Sequence, residues 1–321
     1  MRLVFLGTPV FAVPTLEAMV KAGHEVASVI TQPDRPRGRG QNAAASPVKE
    51  AALRLGLTVY QPERVRRPEA VEYLRGIECD AMVVVGYGQI IPQAVIDLAP
   101  LGIINVHASL LPKYRGAGPI QWAIVRGETR TGVTTMRINA GLDTGDMLLK
   151  AETEIGPEET AVDLGRRLSL MGAALLVETL EGLGSGRIVP EKQDDAKATL
   201  APLLKKEDGA IDWREGAQEI HNRVRGLQPW PGAQTSFRGV PLHVWKTKSP
   251  KSPTRGAGAD RAGRPTSAGQ VVSVKPLVVA CGVGRLELLE VQLEGRKRIP
   301  AADFANGQRL TDNDILGEPR V

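Results

Sequence analysis

Asp80-Ala81-Met82-Val83-Val84-Val85 is the most apolar run of the chain. A strand with one wet face alternates polar and apolar residues, and this run does not alternate. It therefore reads as a central strand of a parallel sheet, covered by helices on both faces. Parallel neighbours need crossovers rather than hairpins, so helices must lie between the strands. The sequence supplies them. Residues 2–6 read as a buried strand, Gly7-Thr8-Pro9 as a turn into a helix to about Lys21, and Glu25 to Thr31 as a second strand. The fold class is α/β. Gly86-Tyr87-Gly88 closes the apolar run, and the carboxyl ends of strands are where such sheets place ligands. Gly86 and Tyr87 are therefore candidate ligand-binding residues. Gly7 stands alone without the Gly-x-Gly-x-x-Gly spacing, so no dinucleotide is expected and Gly7 reads as a tight turn.

Further elements follow in the same style. Ser46-Pro47 signals a helix start, with Ser as cap and Pro at the first helical position. A short strand is expected over Leu57 to Tyr60 and a helix near Pro68–Arg75. Pro92 starts another helix, and one more lies near Pro119–Arg126. Gly132 to Ile138 and Met147 to Ile155 read as a strand pair. Thr160 to Glu181 is amphipathic, with Val162, Leu164, Leu168, Leu170, Met171, Ala174, Leu175 and Val177 available for a buried stripe. It closes a first domain at 1–189.

Residues 190–207 read as a linker and 208–321 as a second domain. Trp213 to Arg225 is expected to be helical. Gln234–Phe237 and Leu242–Lys248 form a hairpin across Arg238-Gly239, and Val271–Val274, Val278–Cys281 and Arg285–Leu293 add short strands. Short strands with turns between them suggest a small barrel of oligonucleotide-binding type. The polar run from Ser249 to Ala268 reads as a flexible loop. Trp230, between Pro229 and Pro231, reads as a core wedge rather than a base-stacking platform.

Charge is unevenly placed. Residues 1–189 carry 20 Lys and Arg against 20 Asp and Glu, and residues 190–321 carry 21 against 16. The whole formal charge of +5 thus lies in the C-terminal part. A basic second domain suits a polyanion such as nucleic acid, though ordinary solvated cations explain it equally well. No run of about 18 apolar residues is present, so no membrane-spanning helix is expected. The apolar start of the chain is too short for a secretory signal. Cys79 and Cys281 lack metal-type spacing, and read as buried thiols of a cytoplasmic protein. No coiled-coil pattern points to a partner subunit, so a monomer is the expectation.

The chemistry concentrates between Ile103 and Asp146. Asn105 and His107 are two apart on a β-branched run, so they project from one face at a strand end. Ser109 to Pro119 is rich in turn formers. Asp143 then arrives on a glycine-flanked turn, Gly141-Leu142-Asp143-Thr144-Gly145-Asp146. An amide and a protonated imidazole stabilise an oxyanion, and a carboxylate orients the ring or takes a proton. On spacing alone, a structural His and a turn Asp are the commoner explanation.

Thr31 to Asn42 interleaves Arg35, Arg37 and Arg39 with Gly and Pro. It reads as neither helix nor strand and as too cationic for a core. Either it is a solvated loop, or its guanidinium forks hold phosphates.

Asn105-Val106-His107-Ala108-Ser109-Leu110-Leu111-Pro112, followed by Gly141-Leu142-Asp143-Thr144-Gly145-Asp146, resembles the signature of the folate-dependent formyltransferases. Ile211-Asp212-Trp213, Asn222-Arg223-Val224-Arg225 and Gln228-Pro229-Trp230-Pro231-Gly232-Ala233 extend the resemblance over nearly the whole chain. They match the branch of that family that acts on initiator methionyl-tRNA. The resemblance implies a Rossmann-like catalytic domain and a smaller OB-like barrel domain. It implies Asn105, His107 and Asp143 as the catalytic trio, and Ser109, Leu110, Leu111 and Pro112 as lining the reduced-folate site. The donor would be 10-formyltetrahydrofolate, the acceptor the methionyl amino group, and no metal would be needed. Arg39 matches a residue that helps seat the tRNA acceptor end. One departure is that Gln41-Asn42-Ala43-Ala44-Ala45 stands where the family carries two further cations. Formylation of a small amine, formate release to water, and folate and RNA binding without catalysis are the alternatives. The arginine arm argues against the first, and the intact trio against the last. Product analysis separates the second.

Overall fold

The computed structural model describes residues 1–36, 43–250, 266–312 and 314–317. The chain divides into two compact units. The first comprises Met1–Pro119, Thr131–Thr153 and Gly165–Ala201, and the second Ile120–Arg130, Glu154–Leu164 and Pro202–Val321.

The chain opens with β1 (Arg2–Gly7), α1 (Val13–Lys21) and β2 (Glu25–Ile30). β3 (Arg35–Pro36) and β4 (Ala43–Ala44) pair antiparallel and join the two ends of the arginine arm. The arm was expected to hold no strand, and this short ladder corrects that. A proline lacks only one ladder donor, and an isolated pair with no third strand tolerates the loss. Arg37 and Arg39 lie outside the described residues.

α2 (Pro47–Arg54), β5 (Val59–Tyr60), α3 (Pro68–Arg75), β6 (Ala81–Val85), α4 (Gln93–Ile96) and β7 (Ile103–His107) follow. Next come α5 (Pro119–Val125), β8 (Arg130–Arg137), β9 (Met147–Glu154) and α6 (Ala161–Gly184). The Ser46 hydroxyl caps α2 by accepting from the Lys49 backbone N–H at 3.1 Å. The strands form one seven-stranded sheet in the order β5-β2-β1-β6-β7-β8-β9. β5, β2, β1, β6 and β7 are parallel, and β8 runs antiparallel to β7. The apolar run β6 is central and wholly buried, as its composition requires.

Strand alternation splits the core in two. Leu3, Phe5, Val83, Val85, Ile104 and Val106 share one cluster with Leu16 of α1, Val48 of α2 and Leu176 and Leu180 of α6. Val4, Leu6, Met82, Val84 and Ile103 share the other with Leu74 of α3 and Val95 of α4. Asn105 and His107 have the parity of Ile103, so they project from that second face. A Cβ on Gly172 would stand 2.6 Å from Val106 Cγ1, so glycine there lets α6 lie close on β7. The stripe of α6 is not quite the expected one. Leu170 is exposed, Ala174 is also exposed, and Leu176 and Leu180 take the core positions.

The second unit carries α7 (Ala217–Gly226), β10 (Ala233–Phe237), β11 (Val240–Lys248), β12 (Val271–Val274), β13 (Leu277–Ala280), β14 (Arg285–Leu293), β15 (Ile299–Pro300) and α8 (Ala301–Gly307). Its sheet is antiparallel, in the order β10-β11-β14-β13-β12 with β15 on β14. The hairpin turns through Arg238 and Gly239, both at positive φ, which matches the twist of its strands. The sheet is not a closed barrel among the described residues. β10 and β12 are not paired to each other, and isolated bridges join Phe237 of β10 to Leu316 and Gln270, just before β12, to Ile315. α7 begins at Ala217, later than expected, because Trp213 is committed to the core and donates from Nε1 to Thr235 Oγ1 at 3.0 Å. Trp230 is no core wedge, since it is 54% exposed.

Candidate active site

Three parallel strands end at the same edge of the first sheet. β1 ends in Gly7-Thr8, β6 runs into Gly86-Tyr87, and β7 delivers Asn105 and His107. β8 lies antiparallel to β7, with His107 opposite Thr134 and Asn105 opposite Met136. β8 therefore ends with Arg137 opposite Ile104, near the start of β7, and the connection from β8 to β9 folds back to bring Asp143 to His107.

His107 is 6% exposed. Its Nε2 donates to the Tyr114 carbonyl oxygen at 2.9 Å, because a carbonyl only accepts. Its Nδ1 faces Asp143 Oδ2 at 3.7 Å, an ion-pair distance but too long for a hydrogen bond. Asp143 Oδ2 instead accepts from the Gly116 backbone N–H at 2.9 Å. Asn105 is part-exposed, and its side-chain amide makes no hydrogen bond among the described residues. The expected trio is therefore brought together on one side of β7. His107 and Asp143 are held by surrounding backbone rather than by each other.

Asp143 sits at φ 50°, a left-handed conformation that costs a non-glycine residue roughly 1–3 kcal/mol where structure enforces it. The turn around it is closely fitted. A Cβ on Gly145 would fall 1.8 Å from the Arg137 carbonyl oxygen. Asn139 Oδ1 accepts from the Gly141 N–H at 3.0 Å and from the Thr144 hydroxyl at 2.8 Å.

The expected folate-lining residues have mixed positions. Ser109 is fully buried, and its hydroxyl donates to the Lys113 carbonyl at 2.6 Å. Leu111 is buried with Met136 and Met147. Leu110 and Pro112 are partly exposed. Thr134 pins this loop, donating to the Ser109 carbonyl at 2.7 Å and accepting from the Leu111 N–H at 3.1 Å. In this structure Ser109 and Leu111 shape the loop from within, which leaves Leu110, Pro112 and backbone to face outward. Tyr87 is likewise 1% exposed in the core, and burial pushes its phenol up to about 12. Its carbonyl accepts from the Thr8 hydroxyl at 3.2 Å and from Gln32 Nε2 at 3.0 Å. Gly86, at φ 57°, makes the sharp exit from β6 against Pro9. Arg35 is exposed. Asp34, beside it in sequence, is hydrogen-bonded by Lys49 at 2.5 Å, which lowers its pKa below the usual carboxylate range.

Sequence reasoning missed the support for the site. Residues 191–201, inside the stretch read as a linker, are stitched to the loops that carry Arg115 and Asp143. Glu191 and Met147 exchange two backbone hydrogen bonds, each 2.8 Å. The Arg115 N–H donates to the Thr199 carbonyl at 2.8 Å, and the Ala201 N–H donates to the Arg115 carbonyl at 2.7 Å. Arg115 itself is 7% exposed and donates to Gln193 Oε1 and Asp195 Oδ1. No periodicity marks these contacts. A Gln between charged residues in a polar stretch looks like solvent.

Cys281 is buried and its thiol is pushed up to about 12 by burial. Cys79 is only half-buried, less than expected, though burial raises it too. Among the described residues no helix is long and apolar enough to cross a membrane, and no group of His, Cys, Asp and Glu is placed to hold a metal ion.

The family model described as formyl transferase matches residues 1–180, and that of the formyl transferase C-terminal domain matches residues 203–309. The chain belongs to the formyl transferase family. It is 76% identical to a methionyl-tRNA formyltransferase of Solibacter usitatus over 99% of both chains. It is 56% identical to a methionyl-tRNA formyltransferase of Koribacter versatilis, again over 99% of each. Among solved structures it resembles an N-formyltransferase from Helicobacter canadensis, crystallised with folinic acid and dTDP-3-aminofucose. That likeness has a TM-score of 0.66 at 18% identity and covers 89% of this chain and 98% of the other.

Proposed function

We propose that this chain transfers the formyl group of 10-formyltetrahydrofolate to the methionyl amino group of initiator methionyl-tRNA. The observation that carries the chemistry is the uncommitted Asn105 amide beside a fixed His107–Asp143 pair at the carboxyl edge of a parallel sheet. Full-length similarity to methionyl-tRNA formyltransferases supports the acceptor.

The amine nitrogen attacks the formyl carbon and a tetrahedral oxyanion forms. Asn105 stabilises it by donating a hydrogen bond, and the Nδ1 edge of His107 adds positive character when protonated. Asp143 takes the proton released by the attacking nitrogen, directly or through water. Collapse breaks the bond from the formyl carbon to the folate nitrogen, which takes up a proton as it leaves. No side chain is acylated. The folate is held at the Leu110–Pro112 loop and the Gly86 turn, with Ser109, Leu111 and Tyr87 supporting from below. Arg35, Arg37 and Arg39 contact tRNA phosphates, as does the basic region 208–321. Residues 1–189 form the catalytic domain, with 190–207 leading to the second. The protein works in the cytoplasm as a monomer.

The test incubates purified protein with 10-formyltetrahydrofolate and methionine-charged initiator tRNA, with free methionine and tRNA-free controls. Formyl-methionine appearing only on charged tRNA is the expected result. Formate released equally without tRNA would replace the proposal with a hydrolase. Arg39→Ala should weaken tRNA use at unchanged folate binding.

A further inference from the structure

We infer that Gln193 is a positioning residue that holds the backbone of the Asp143 turn in its working conformation. The inference rests on the proposed role of Asp143. Gln193 is 6% exposed. Its Nε2 carries two N–H donors, and both are used. One goes to the Asp143 carbonyl at 2.8 Å and the other to the Gly145 carbonyl at 2.7 Å. Its Oε1 accepts from Arg115 Nε at 3.0 Å, and Arg115 Nη2 donates to Asp195 Oδ1 at 2.7 Å. The partners fix the amide orientation, since two carbonyls need donors and a guanidinium needs an acceptor.

The two carbonyls belong to the 143–144 and 145–146 peptide groups, on either side of the Thr144–Gly145 peptide. Asp143 is in the left-handed region, which is sparsely populated by non-glycine residues. Gly116, the group that orients its carboxylate, follows Arg115 in the chain. One side chain thus ties both loops that meet at the carboxylate, through the 143–145 backbone on one side and Arg115 on the other. No other residue type supplies two donors and one acceptor at this reach. Glutamate offers oxygens to two carbonyls, and leucine offers nothing.

Catalytic geometry is sensitive to such displacement. A shift near 1 Å costs about 10²-fold in rate. Gln193→Glu and Gln193→Leu are therefore expected to lower kcat by about 10²-fold, with KM for 10-formyltetrahydrofolate and for methionyl-tRNA changed less than about threefold. Thermal unfolding of both variants is recorded alongside, and Asp143→Asn is assayed in parallel. A kcat within about threefold of the parent, or raised KM values at unchanged kcat, would overturn the inference. So would loss of folded protein in both variants, because the residue would then serve the fold. Should Asp143→Asn turn over normally, the role of Asp143 fails and the inference with it. Should Asp143→Asn be inactive while both Gln193 variants work, only the inference fails.

Discussion

Asp143 Oδ2 stands 3.7 Å from His107 Nδ1 and 2.9 Å from the Gly116 backbone nitrogen. The carboxylate is thus anchored to a loop amide and only faces the imidazole. Asp143→Asn keeps the shape and removes the charge. It is expected to lower single-turnover formylation roughly 10²–10⁴-fold while the unfolding midpoint stays near the parent's. Parental turnover would remove Asp143 from the chemistry.

Asn105 has no hydrogen-bonding duty to the protein among the described residues. Truncating it should cost catalysis and little stability. Asn105→Ala is expected to lower kcat roughly 10²–10³-fold, by analogy with loss of one oxyanion donor. A change confined to KM would assign Asn105 to substrate binding instead.

Gly145 tests the fit of the turn. Its absent Cβ would lie 1.8 Å from the Arg137 carbonyl oxygen, and backbone cannot easily give way. Gly145→Ala should destabilise by about 1–3 kcal/mol in urea unfolding. Gly307, in α8, has nothing within 4 Å of the place a Cβ would take, and Gly307→Ala should gain up to about 1 kcal/mol. Equal effects at both sites would show that glycine freedom, not the close approach, matters at 145.

His221 gives the second unit a pH dependence. Burial lowers its pKa below the usual 6.5, opposed by the hydrogen bond to the Pro157 carbonyl and by Glu158, and aided by Arg225. The unfolded chain therefore binds a proton more readily than the folded one. The stability this confers is present above pH 6.5 and is lost as pH falls below it. Urea midpoints at pH 8 and pH 5.5 should differ more in the parent than in His221→Gln. Parallel pH dependence in the two proteins would assign the effect to other groups.

Much of this was written in local sequence. The unbroken apolar run required β6 to be central, because only a doubly covered strand tolerates it. Ser46-Pro47 fixed the start of α2 through chemistry within one helical turn. The two-residue spacing of Asn105 and His107 fixed their shared face, whatever the rest of the chain did. The hairpin at Arg238-Gly239 was equally local.

What lay beyond reach was set by contacts between residues far apart in the chain. Ser109 and Tyr87 looked like ligand residues and turned out buried, because burial depends on what packs above them. Trp230 looked like core and is exposed. The barrel expected from short strands is an open sheet among the described residues, since closure depends on register between distant strands. Gln193 lies 50 residues from Asp143 and 78 from Arg115. The sequence by itself determined the α/β layering, the shared face of Asn105 and His107, and the family. Tertiary structure alone decided how the carboxylate is held, because the groups that bond Asp143, the Gly116 N–H and the Gln193 amide, come from distant parts of the chain.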